Sequence, residues 1–243
     1  MKKKVLSLLA FLPAFTTVMA QQTAEVPDVC AFVNPIIGTN GMGHTFPGAC
    51  APFGLVQLSP DTDTIPHNID GTYQKNAYEY CAGYQYHDPT IVGFSHTHLS
   101  GTGAGDLYDI SFMPVTLPYK EAEVPLGIHS RFSHDDESAT AGYYQVLLKD
   151  YNINVELTAT ERCGIQRYTF PEAQAAIFLN LKKAMNWDFT NDSRIEIVDS
   201  VTIQGYRFSD GWARDQHIYF RTRFSKPFTS VQIDTTAIIK DGK

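Results

Sequence analysis

The stretch YYQVLLKDYNINVELTATERCGIQRYTF, Tyr143 to Phe170, decides the fold class. It divides into runs of seven or eight residues, YYQVLLKD, INVELTAT and GIQRYTF, separated by turn-forming residues. In INVELTAT, Ile153, Val155 and Leu157 fall two residues apart. Alternate residues of a strand face the same way, so these three share one buried face. The pattern continues downstream through AAIFLNL, RIEIVDS, VTIQGYRFS, HIYFRTRFS and TSVQID. In HIYFRTRFS, Ile218, Phe220, Thr222 and Phe224 share one face, and Tyr219, Arg221 and Arg223 share the other. One dry and one wet face indicate antiparallel sheet. Many short strands with no helical stretch between them indicate a β-sandwich.

Composition agrees. The chain has 243 residues, 43% hydrophobic and 19% charged, enough apolar material for a large core. Aromatic residues make up 12%, and such side chains suit a pleated, half-buried surface. The formal net charge of −7 is a poor match for nucleic acid, whose phosphates call for Lys and Arg. A neutral or cationic ligand fits better.

Residues 1–20, MKKKVLSLLAFLPAFTTVMA, have a basic start, a short apolar run broken by Pro13 and a small-residue end. These features predict a secretory signal peptide cut after Ala20, followed by a leader over 21–31 and a sandwich domain over 32–243. The expected location is outside the bacterial cytoplasm, periplasmic or secreted, with no membrane span after cleavage. Export permits disulfides among Cys30, Cys50, Cys81 and Cys163, which allow three complete pairings. Buried free thiols in a core that needs no staples are the alternative. None of the four forms a C-x-x-C pair. The chain stops at IIKDGK, just after a strand-like run, as though a longer protein continued beyond it.

Upstream of the regular strands, Phe32–Pro60 is punctuated by Gly and Pro, which excludes a long helix. Strands are expected at Gly54–Ser59, Thr90–Leu99 and Leu107–Leu117. Between the last two lies the most chemically loaded segment, GFSHTHLSGTGAGD, Gly93–Asp106. Its Gly101–Gly105 stretch lacks the G-x-G-x-x-G spacing, a following helix and a Walker lysine, so nucleotide binding is not indicated. His96 and His98, two apart on an expected strand, would face the same way. With Asp106 or Asp109 they could hold a metal, although no Cys or Glu stands at motif spacing. Imidazole, hydroxyl and exposed amides suit a sugar better, so the segment is expected to line a polar cavity. The tyrosines Tyr73, Tyr78, Tyr80, Tyr84 and Tyr86 could stack on pyranose rings or simply fill the core. Trp212 with Arg214, Asp215, Gln216 and His217 forms a further polar and aromatic cluster, explicable as packing alone. Asp61 and Asp63 form a D-x-D pair that could hold a cation, although such a pair more often caps a turn, and no G-x-S-x-G nucleophile elbow is present.

Four blocks carry a family resemblance: VNPIIGTNGMGHTFPGACAPFGLVQLSPDT (Val33–Thr62), YCAGYQYHDPTIVGFSHTHLSGTGAGDLYDISFMP (Tyr80–Pro114), ELTATERCGIQRYTFP (Glu156–Pro171) and GWARDQHIYFRTRFSKPF (Gly211–Phe228). In this order they resemble glycoside hydrolase family 92. The resemblance implies calcium-dependent, inverting exo-α-mannosidases acting on α-1,2 or related linkages. It implies an N-terminal supersandwich, similar to galactose mutarotase in general architecture, joined to an (α/α)6 barrel. A glutamic acid would protonate the leaving oxygen and an aspartate would activate water, with carboxylates about 6.5–9.5 Å apart. Calcium would be held mainly by oxygen ligands of the barrel, as would the acid and base, so no catalytic residue or metal ligand is assigned here. The loops Ala77–Tyr84 and His96–Asp106 would shape or support the first sugar subsite through Tyr78, Cys81, Gly83, Tyr84, His96, His98, Gly101 and Asp106. Tyr78 stands near where many relatives carry tryptophan. The implied partners are a mannose-containing glycan and the helical barrel. The other readings are a stand-alone carbohydrate-binding module without hydrolytic activity and a scaffold that packs against a helical domain.

Overall fold

The computed structural model describes residues 28–62, 68–101, 103–118, 127–184 and 188–233. The expected signal peptide and most of the leader lie outside these residues, as does Asp63. The chain is all-β: among the described residues the helices are short 3-10 turns, and none is long and apolar enough to cross a membrane.

A five-stranded antiparallel sheet forms the middle layer, in the order Ala49–Cys50, Gln57–Asp61, Gly93–Ser95, Ser111–Thr116, Ala175–Asn180. A four-stranded meander, Glu137–Thr140, Tyr143–Leu148, Ile153–Ala159 and Gly164–Thr169, packs on one side. A three-stranded meander, Phe189–Asp199, Thr202–Asp210 and Gln216–Arg223, packs on the other. The layering follows from the period of two. In the middle sheet Met113 and Val115 enter the core shared with Tyr144, Val146, Ile153, Val155 and Leu157. Phe112, one residue out of phase, enters a second core with Leu179, Ile195, Ile218 and Phe220. Ser111–Thr116 is therefore buried on both faces and shows no sequence alternation.

The expected faces of INVELTAT and HIYFRTRFS are the observed ones: Ile153, Val155 and Leu157 are buried, and burial alternates along Gln216–Arg223. Several boundaries differ from expectation, among them the strand expected over Gly54–Ser59, which runs over Gln57–Asp61. The strand expected over Thr90–Leu99 is two pieces, Thr90–Ile91 and Gly93–Ser95. The strand expected from Leu107 starts at Ser111, because Leu107, Tyr108 and Ile110 all take positive φ. TSVQID forms no strand over its described part, 229–233. No disulfide joins the cysteines: Cys30, Cys50 and Cys163 are exposed thiols and Cys81 is a buried one.

Candidate functional site

The segment Gly93–Asp106 begins as the central strand of the middle sheet, with Ser59 opposite Ser95 and Phe94 opposite Phe112. It leaves the strand after Ser95. That departure corrects the expectation that His96 and His98 wall a cavity together. The His96 ring runs toward the four-stranded meander. A Cβ on Gly164 would sit 2.9 Å from it. Its Nδ1–H donates to the Ile110 carbonyl at 2.7 Å, and it meets Phe112 edge-on. Burial pushes the His96 pKa down, so the ring is neutral.

His98 takes another direction, its side chain completely buried. Nδ1–H donates to the Gln57 carbonyl at 2.7 Å, and Nε2 lies 2.8 Å from Asp61 Oδ1 and 3.0 Å from Ser95 Oγ. Both ring nitrogens thus already have protein partners. Burial raises the Asp61 carboxyl, but Lys183 at 3.4 Å and His98 outweigh that and hold it below the usual range. Gly83 closes over this pair at φ +89°. A Cβ there would lie 2.9 Å from Asp61 Oδ1, 2.9 Å from His98 and 3.0 Å from Tyr108.

Asp106 is likewise committed to the fold. It accepts from the backbone N–H of Leu107 and, across the domain, from that of Ala213. Beside it runs a network not expected from the sequence. Arg207, with no solvent exposure, donates to Asp109 Oδ1 at 2.6 Å, Asp188 Oδ2 at 2.8 Å and the Lys183 carbonyl at 3.0 Å. Thr97 Oγ1 donates to the other Asp109 oxygen at 2.6 Å. Burial lifts the Asp188 pKa to about 6, against the pull of Arg207. Arg207 shares the inward face with Ile203, Gly205 and Ser209, while the aromatic alternates Tyr206 and Phe208 face outward. No hydrophobic alternation in the sequence marked it, and an inward arginine demands the carboxylate partners that the structure supplies.

What remains at the surface is a lip of three loops. Gly101 is exposed at φ +72°, and its N–H donates to the His44 carbonyl at 2.5 Å. Gly103 lies so close to the Tyr78 hydroxyl that no side chain fits between them. Tyr78 is half-buried and meets the His44 ring edge-on at 5.2 Å. His44 is left-handed, at φ 52°, and its buried Nε2 has no hydrogen-bond partner. Gln85 ties the first loop down by bonding both the N–H and the carbonyl of Gly41. His44 escaped the sequence reading because it stands among glycines with no second polar residue at motif spacing.

The structure thus brings Tyr78 and Gly101 together at the lip and places Gly83, His96, His98, Asp106 and Cys81 beneath it. Tyr84 is farther away, in the main core, where its hydroxyl donates to Glu137 at 2.9 Å and both burial and that carboxylate push its pKa up. The lip presents the His44 imidazole and the Tyr78 phenol edge, while the N–H groups of Gly101 and Gly41 are already bonded within the protein. Calcium finds no ligand set: the Asp61, Asp106 and Asp109 carboxylates serve protein donors, and among the described residues no group of three or more His, Cys, Asp or Glu is arranged for a metal ion.

Residues 32–243 match the family model for the glycosyl hydrolase family 92 N-terminal domain. A family GH92 alpha-mannosidase from Bacteroides thetaiotaomicron, solved in complex with mannoimidazole, is 39% identical with a TM-score of 0.73, over 82% of this chain and 26% of that one. Another solved GH92 family glycosyl hydrolase is 26% identical with a TM-score of 0.64, over 79% of this chain and 26% of that one. An uncharacterized secreted glycosidase of Arthroderma benhamiae is 28% identical over 61% of this chain and 18% of its own length. The chain thus spans about a quarter or less of these relatives. With a matched region that takes in both the lip and all three sheets, the chain belongs to glycosyl hydrolase family 92, as its N-terminal β-sandwich domain.

Proposed function

We propose that this domain is the N-terminal part of an exported exo-α-mannosidase and lends the lip at His44, Tyr78 and Gly101–Gly103 to a sugar pocket that a further helical domain completes. One observation carries the reading: an apolar apron adjoins the lip. Val29, Phe32, Val33, Ile37 and Met42 are all exposed, Phe32 at 85% and Ile37 at 74%. Exposed apolar side chains gathered in one short stretch of chain mark a candidate interaction face. The bonds from Gln85 to Gly41 and from Gly101 to His44 join the apron's loop to the lip. A domain seated on the apron would stand over the lip.

In this reading the acid and base lie in that further domain, which also holds calcium. Asp61, Asp106 and Asp109 are buried under the lip and tied to protein donors, and in this reading they neither protonate a leaving oxygen nor activate water. The domain's own work is to orient the sugar through Tyr78 and the unpartnered His44 Nε2, and to exclude water when the second domain closes. Export follows the signal-like residues 1–20 and the description of one relative as secreted. Cleavage of α-1,2 or related mannosidic linkages belongs to the same proposal.

The test is an assay of the 243-residue chain on an aryl α-mannoside with calcium. No turnover above background is expected, and turnover would place an acid and a base inside this chain. Calorimetry with mannobiose separates the carbohydrate-binding-module reading. Millimolar or tighter binding by the chain alone would favour a module over a half-site.

A further inference from the structure

The outer face of the three-stranded meander carries a nine-position grid set by the strand register. Phe208 pairs with Asp192 on one side and His217 on the other; Tyr206 pairs with Arg194 and Tyr219; Gln204 pairs with Glu196 and Arg221. Directly opposed residues point to the same side. Four adjacent positions of the grid are therefore rings, bordered by two carboxylates, two guanidiniums and an amide. No aliphatic side chain interrupts the rings.

The rings are held in place. Phe208 stacks on Tyr206 at 4.3 Å and on His217 at 4.0 Å. The Tyr206 hydroxyl donates to Asp192 at 3.0 Å, and Asp215 lies 3.0 Å from His217. Tyr219 stands across this stack, inclined 60° to Tyr206 and 74° to Phe208, and is 70% exposed. Trp212, 71% exposed, sits in the loop that joins the two strands at the His217 end.

We propose that this face is a second glycan-binding surface, with Tyr219 and Trp212 as the stacking rings and Gln204, Arg221 and Glu196 as hydrogen-bonding partners for a neutral oligosaccharide. Two observations favour that ligand. Fixed ring faces bordered by hydrogen-bonding groups match a pyranose, which has an apolar C–H side and a hydroxyl edge. The two carboxylates and two guanidiniums of the grid balance, so the face favours neither anion nor cation. The surface lies on the side of the meander away from the middle sheet, whereas the lip is built on loops of that sheet. It does not depend on the mannosidase reading.

The experiment is affinity electrophoresis of the full-length protein through gels holding yeast mannan, dextran or xylan. Retardation is expected in at least one gel, weakened about fivefold or more by Tyr219→Ala and by Trp212→Ala, with melting temperature unchanged because both side chains are exposed. Absence of retardation in all three gels overturns the proposal, as would follow if another part of the polypeptide covers the face. Retardation that survives both substitutions but is lost in Tyr78→Ala also overturns it, assigning the binding to the lip.

Discussion

Gly83→Ala tests whether the buried charges under the lip dictate its backbone. Two costs are separable. Gly83 has φ +89°, which an L side chain resists by about 1–2 kcal/mol. The added Cβ would also lie 2.9–3.0 Å from Asp61, His98 and Tyr108. All three are buried and held by hydrogen bonds, so none can swing away. Overpacking of this kind costs about 1–3 kcal/mol. The sum, about 2–5 kcal/mol, is a large share of the ~5–15 kcal/mol that stabilises a typical domain. Gly101 and Gly142 supply controls. Their φ angles are +72° and +78°, and a Cβ on either meets nothing within 4 Å. Gly101→Ala and Gly142→Ala should thus cost only the backbone part. Urea unfolding of the three variants measures the difference, and at about 2–4 °C per kcal/mol thermal melting repeats it. If Gly83→Ala costs no more than either control, the crowding argument for the Asp61–His98 pair is wrong.

Four further outcomes are expected. Arg207→Met strands Asp109 and Asp188 without their cation and should cost about 3–5 kcal/mol in urea unfolding, and Asp109→Asn added to it should recover part of the loss. Asp188, raised to about 6 from 3.8, is more easily protonated in the folded chain than in the unfolded one. Its contribution is therefore fully present at low pH and lost as pH rises from about 4 to about 6, by about 1–2 kcal/mol once solvent screening is allowed for, and Asp188→Asn should flatten that part of the pH–stability profile. Asp61, held below its usual range, contributes in the opposite sense, and stability should fall again as pH drops below the usual carboxylate range. Phe32→Ser should raise the solubility of the isolated domain without lowering its melting temperature, because the ring is 85% exposed here; a lower melting temperature would show that it packs within the domain.

The sandwich was legible wherever one strand face is wet. Ile153, Val155 and Leu157 announced their face by alternation, as did Ile218 and Phe220. The double burial of Ser111–Thr116 could not be read, since a strand covered on both sides has no alternation to show. Nor could the path of His96 and His98. Their spacing puts two rings side by side only if the strand continues, and it ends at Ser95. What ends it is long-range. The Asp109 carboxylate is fixed by Arg207, ninety-eight residues away, and the chain reaches it through positive φ at Leu107, Tyr108 and Ile110. Local propensity holds no information about a partner at that distance. His44 and the Val29–Met42 apron were missed for another reason: their meaning lies in exposure and in an unpaired ring nitrogen, neither of which a residue string displays.

The two buried networks explain why a segment rich in glycine can serve as a positioned lip. A run such as Ser100–Gly105 has little side-chain packing of its own, and glycine loses more backbone entropy on ordering than any other residue. Both of its ends are clamped instead. At the front, Thr97 and His98 are bonded to Asp109 and Asp61; at the back, Asp106 holds the backbone of Ala213. Lys183 links the clamps, its ammonium against Asp61 and its carbonyl against Arg207. Buried ion pairs add little net stability over apolar packing, but breaking one leaves an uncompensated charge. Such a device suits a loop that must keep one position rather than gain stability. The histidines of GFSHTHLSGTGAGD therefore anchor the segment: they are bonded ahead of Gly101 and Gly103, and those glycines bring bare backbone close to His44 and Tyr78, the lip that the proposed function assigns to a sugar.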